Sequence, residues 1–183
     1  MYISPINIIK GLKQIVEVNI DQINDLLQYY RKSDTLHIFE GLRKTLPLSS
    51  YPSLEFEPAS ASTEWTTTSA QTGEYTIDCY LTVNNTNEEL NAEYISEITR
   101  KIVKLFNYPT NMCFPIPNEY FPNGEQIFVT FGNVSSVTYR STRDGSLTVA
   151  QFSWVGRVLE PFVMTEPFGP AEVNWKEDKK HGE

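Results

Sequence analysis

A chain of 183 residues with 40% hydrophobic and 13% aromatic content is the right size for one domain with a substantial core. Its formal net charge of -8 argues against a surface that grips nucleic acid phosphates. Two cysteines, Cys79 and Cys113, are too few for a disulfide framework and lack metal-ligand spacing. No apolar run approaches the roughly 20 residues of a membrane-spanning helix. The first residues also lack the basic-then-apolar pattern of a signal peptide, so a cytosolic protein is expected.

Ser4-Pro5 is a helix start, with serine as cap and proline in the first turn. Ile8, Ile9, Leu12, Ile15 and Val16 follow at helical spacing, then Ile23, Leu26, Leu27 and Tyr30 behind a capping Asp21. Residues 5–31 are therefore one broken helix or two short ones, with Arg31 and Lys32 at the end that suits cations. Leu36, Ile38 and Phe39 fit a short strand ending near Gly41 or a short helix through Leu42, and the pattern does not separate them.

Pro52 to Pro58 reads as a strand, with Leu54 and Phe56 on one face and Glu55 and Glu57 on the other. A Ser/Thr-rich stretch, 59–70, continues it as a polar strand around Trp65. Gln71-Thr72-Gly73 is the expected turn. Tyr75, Ile77, Cys79, Leu81 and Val83 then alternate with Thr76, Asp78, Tyr80 and Thr82, the clearest strand in the chain. The two strands should pair as a hairpin.

Thr86 and Glu89 have capping-box spacing. The helix behind them carries Leu90, Tyr94, Ile98, Ile102 and Leu105 on one stripe, with Ile95 and Phe106 beside it. It ends at Asn107 and Pro109. Residues 107–126 form a proline-rich connection of a length that is usually functional or mobile. Ile127–Phe131 and Val134–Tyr139 are β segments with Gly132 as a bulge between them. Arg143-Asp144-Gly145-Ser146 is a hairpin turn. Leu147–Leu159 is a last long strand with Phe152, Trp154 and Val158 on one face.

This order specifies an α+β fold: one mostly antiparallel sheet of two hairpins, with helices packed on one face. Residues 1–160 form the expected single domain. Residues 161–183 are a C-terminal extension, partly disordered, whose last residues, Lys176 to Glu183, are densely charged.

No catalytic constellation emerges. His181 lies in the charged tail, and His37 stands alone between Leu36 and Ile38, with no nucleophile motif to serve. Glu55 and Glu57 flank an apolar strand face, as on a half-exposed strand. Asp78 fits a polar contact between strands or subunits, and Cys79 an inert buried thiol. Lys101 and Lys104 are helix-end cations. Trp65 and Trp154 are either core aromatics or parts of a binding platform. Phosphate-cradling glycine motifs are absent. The expectation is a chain with no catalytic, cofactor or metal residues, and hence not an enzyme.

The order of Phe39-Glu40-Gly41, the proline-led strand Tyr51–Pro58, the alternating strand Tyr75–Val83, the helix Glu88–Phe106 and the hairpin Ser136–Tyr139, Arg143–Gly145, Leu147–Leu159 resembles the tail terminator (tail completion) proteins of tailed bacteriophages. The resemblance spans about residues 36–160 and rests on pattern and element order. It implies a structural virion protein that forms a hexameric ring on the head-proximal end of the tail tube, stops tube growth and joins the tail to the head. The implied partners are further copies of the chain, the tail tube protein and the head-tail connector protein. DNA passes through the channel without specific binding, and no membrane is involved. Assembly takes place in the host cytoplasm. The long N-terminal helical region, the 107–126 connection and the segment after Pro161 depart from the pattern. They leave a stopper-type neck or connector protein as the alternative, with a small enzyme or binding module behind it. A deep pocket lined by Glu55, Asp78 and His37 would favour the enzyme; a flat, channel-lining surface would favour the ring.

Overall fold

The computed structural model describes residues 3–41, 46–65, 70–84, 88–116, 127–142 and 145–161. The Thr86–Glu89 capping pair, the side chain of Trp65, residues 117–126, Arg143-Asp144 and everything after Pro161 lie outside that description.

Two helices open the chain, α1 (Pro5–Val18) and α2 (Ile20–Tyr30). Ser4 caps α1 as expected, its hydroxyl accepting from the Ile6 N–H at 3.4 Å. The break between the helices is at Asn19, which donates its side-chain amide to the Ile15 carbonyl at 2.8 Å. Asp21 is therefore not the cap; it lies in the first turn of α2, where a carboxylate suits the helix dipole. Ile8, Ile9, Leu12, Val16, Ile23 and Leu27 are buried along one side of the pair.

The sheet has six strands in the order β1-β2-β3-β6-β5-β4. They are β1 (His37–Glu40), β2 (Ser53–Trp65), β3 (Ala70–Asn84), β4 (Pro115–Ile116), β5 (Ile127–Ser141) and β6 (Leu147–Pro161). The hairpins β2–β3 and β5–β6 are both present, joined side by side through an antiparallel β3–β6 pair. The α+β class holds, but the sheet is mixed and wider than two hairpins. β1 pairs parallel with β2, and a 3-10 turn (Leu48–Ser50) precedes β2. β4 adds a two-residue pairing on the other side of β5.

The Ser/Thr-rich stretch is strand over 59–65, as expected, with 66–69 outside the described residues, but the glycine signal misplaces the turn. Gly73 lies inside β3, opposite Thr63 on one side and Val158 on the other. Gly132 is likewise inside a continuous β5. The register slips on either side of it, between Val129 and Phe131 and between Val134 and Val137.

Helix α3 (Glu88–Phe106) and α1 pack on the same sheet face, and α2 packs against both helices. The buried side chains on that face are Leu54 and Phe56 of β2, Tyr75 to Val83 at alternate positions of β3, and Phe152, Trp154 and Val158 of β6. Phe106 bridges Phe56 and Phe152, with ring centroids 6.4 and 6.3 Å away. Beyond it Phe114 is buried between Gly11 of α1 and the indole of Trp154, 5.9 Å from the latter. The first part of the 107–126 connection is thus a packed element. Asn107 reinforces it: its side-chain amide donates to the Val134 carbonyl at 2.9 Å and its oxygen accepts the Val134 N–H at 2.7 Å. One side chain stands in for a strand neighbour at the slipped part of β5.

Candidate functional site: the open face of the sheet

With the described helices all on one face, the other face of the sheet carries the polar side chains. Alternation places Thr76, Asp78, Tyr80 and Thr82 of β3 there, level with Val155, Ser153, Gln151 and Val149 of β6. β2 contributes Glu55, Glu57, Ser60 and Ser62, and β5 contributes Phe131, Asn133, Thr138 and Arg140. Glu55, Glu57, Glu64, Glu74 and Asp78 share this face with Arg140 and Arg157, so carboxylates outnumber cations on it.

Glu57 and Asp78 stand directly opposite one another, a like-charge pairing that costs stability. Hydroxyls relieve it. Ser153 donates to Asp78 at 2.5 Å, and Tyr80 is hydrogen-bonded to Glu57. Gln151 donates to the Tyr80 oxygen at 3.4 Å. Burial, then the charges of Asp78 and Glu57, push the Tyr80 phenol above its ordinary value, with Arg140 pulling the other way. Tyr51 is raised in the same manner, by burial and then by Glu55. Further along, Arg157 donates to Glu74 at 3.0 Å on an exposed stretch between Phe131 and Leu159, both about half exposed.

Glu55 departs from expectation: it is buried, 5% exposed, beside an equally buried Ser53 whose hydroxyl donates to it at 3.3 Å. His37 is level with Ser53 on the edge strand. Asp78 is level with Glu57, four residues further on (57 − 53), or about 13 Å along the strands at the usual rise. The fold therefore does not bring His37, Glu55 and Asp78 into one pocket. Cys79 is fully buried on the helix side, and burial followed by the Asp78 charge holds its thiol well above the ordinary range, so it is a poor nucleophile. Trp154 is core and no platform. Its indole N–H is buried without an acceptor among the described residues.

An open groove of about 420 Å³ lies between α2 and α3, lined by Gln22, Asp25, Tyr29, Arg100, Lys101 and Lys104 among others. Lys101 donates to Gln22 at 3.0 Å across it, and Arg100 is paired with Glu97. These are ties between exposed helices, with no converging nucleophile and base. Among the described residues no group of three or more His, Cys, Asp or Glu could hold a metal ion. No helix there is long and apolar enough to cross a membrane.

Arg31, read from sequence as a helix-end cation, has a larger task. It donates to the carbonyl and side-chain oxygen of Asn84 at 3.0 and 2.8 Å, and lies 4.5 Å over the ring of Tyr94. Tyr94 in turn donates to Asp34 at 2.6 Å. Three elements, α2, the end of β3 and α3, meet at that guanidinium. Only Asp34, 3.8 Å from the guanidinium, is local in sequence; Asn84 and Tyr94 are more than 50 residues away in the chain, so no local pattern signals the cluster.

No family model matches the chain, and no curated protein matches it in sequence. Among solved structures, a chain of the virion of a native gene transfer agent particle is similar with a TM-score of 0.43 at 6% identity, over 75% of this chain and 91% of that one.

Proposed function

We propose that this chain is a structural component of a tailed-phage virion, a tail terminator that closes the tube as a ring and presents the surface that joins the head. The observation that carries the reading is the one-sided sheet: helices on one face, and on the other a carboxylate-rich, hydroxyl-lined face that none of the described helices covers. In a ring, that face turns toward the channel and the helices turn outward. Carboxylates there repel DNA phosphates, so DNA slides past without binding. The element order supports the same reading. A short strand, His37–Glu40, a proline-led strand, a hairpin, a helix and a second hairpin are the parts that the resemblance calls for. The role is assembly and not catalysis.

The test is the mass of the purified chain, alone and mixed with tail tube protein. A small species that becomes a ring of several subunits, alone at high concentration or on the tube, is expected. A chain that stays monomeric at every concentration and ignores the tube would overturn the reading. Binding to the portal side in place of the tube would assign it to the neck instead.

A further inference from the structure

We infer that neighbouring subunits join by antiparallel strand pairing, the free half of β2 on one copy against the free half of β5 on the next. The inference rests on the ring reading and specifies how the ring is held.

Among the described residues, β2 and β5 are each flanked on their outer side along only part of their length. β1 covers β2 from Ser53 to Phe56, the last bond running from the Gly41 N–H to the Phe56 carbonyl at 2.8 Å. On the far side, β4 and the Phe114 carbonyl cover β5 up to Val129, and Asn107 closes it at Val134. Beyond those points Pro58–Ser62 of β2 is exposed at every residue, and Ser135–Ser141 of β5 at all but Val137. Main-chain groups along an open edge are a template for another strand. Proteins that keep such an edge solitary usually blunt it with lysines or shorten it. Neither stretch carries a lysine. Pro58 and a register shift stand at the start of the β2 stretch, and a second shift, between Val134 and Val137, at the start of the β5 stretch. This leaves Ser60–Ser62 and Thr138–Ser141 regularly paired on their inner sides. Small and β-branched residues predominate: Ala59-Ser60-Ala61-Ser62 after Pro58 on one, and Ser135-Ser136-Val137-Thr138 before Tyr139-Arg140-Ser141 on the other.

Strand direction selects a second copy as the occupant. β2, β3, β6 and β5 alternate in direction, so β2 and β5 run oppositely. Placing β5 of one copy beside β2 of the next continues the antiparallel pattern without turning either copy over. That is a head-to-tail contact, the kind that closes into rings. The free halves also lie at diagonal corners. Ser60 is level with Thr76, whereas Tyr139 is level with Leu81 through Ala150, a stagger of five residues (81 − 76). Five residues is about 16 Å along a strand, and four strands span about 19 Å across. Copies paired this way slant by roughly 40°, within the tilt at which sheets close on themselves.

Ser60 and Thr138 share the open face, so a cysteine at each can be bridged between copies. The experiment uses the full chain carrying Cys113→Ser, because Cys113 is exposed and Cys79 is buried. Ser60→Cys and Thr138→Cys are introduced together and singly, and ring fractions, free or on tail tube protein, are treated with a short bis-maleimide. The double variant should give a ladder of covalent multimers, and each single variant at most a trace of dimer. Unchanged melting of the variants shows that they fold. Rings that form but never cross-link, or links from these cysteines to the tube protein alone, would overturn the strand pairing while leaving the ring reading intact. A chain that never exceeds monomer mass, alone or with tube protein, would overturn both.

Discussion

Gly132 on β5 and Gly156 on β6 stand directly opposite one another, and the indole of Trp154 lies across both. A methyl group at either glycine would overlap the ring. Here the absence of a side chain is a packing requirement, since both backbone positions have ordinary φ values. Gly156→Ala should therefore destabilise the fold by about 2–3 kcal/mol, the usual scale of overpacking. Combining it with Trp154→Leu should cost less than the sum of the two single changes, because the second removes the obstacle that makes the first costly. Urea midpoints of the three variants check this; simple additivity would contradict the stacking.

The two faces of β3 should respond unequally. Leu81 is fully buried against the helices, so Leu81→Ala should cost about 2–5 kcal/mol. Asp78 faces away and stands opposite Glu57, so Asp78→Asn should raise stability by up to ~1 kcal/mol through loss of the like-charge pairing. Equal losses at both positions would mean that the polar face is as tightly packed as the other.

The long alternating strands and the α3 stripe were legible because one face of each is buried, which imposes a period of two or of 3.6 on the residues themselves. The Tyr75–Val83 pattern and the helix at Glu88–Phe106 read directly. What failed had non-local causes. Gly73 looks like a turn, but pairing on both sides carries the strand through it. Glu55 looks half-exposed, yet the β1 edge and Ser53 bury it. The parallel β1, the central β3–β6 pair and the Arg31 cluster depend on contacts across the whole chain, to which no local pattern points. The candidate face was legible only as alternation; that the described helices all lie on the opposite face needed the strand order.

Alkaline pH offers a separate check on the Arg31 cluster. Burial, then the hydrogen bond to Asp34 and its charge, raise the Tyr94 phenol above its ordinary value of 10.0, with Arg31 opposing. The folded chain keeps this proton where the unfolded chain releases it. The resulting stability is fully present below pH ~10 and is lost as pH rises above it, by at most ~1.4 kcal/mol per pH unit. Buried Cys79, also raised, adds a loss of the same sign. Tyr94→Phe should make the alkaline decline shallower, measured as denaturation midpoints on either side of pH ~10. Parallel declines in both proteins would contradict the assignment.

The most direct measurement for the account as a whole is the length and head attachment of tails, seen by electron microscopy, in infected cells whose phage lacks this chain. A ring that ends and seals the tube predicts tails of uncontrolled length, or tails that never join filled heads, with both defects reversed when the chain is supplied in trans. Tails of normal length, joined normally to DNA-filled heads, would contradict it.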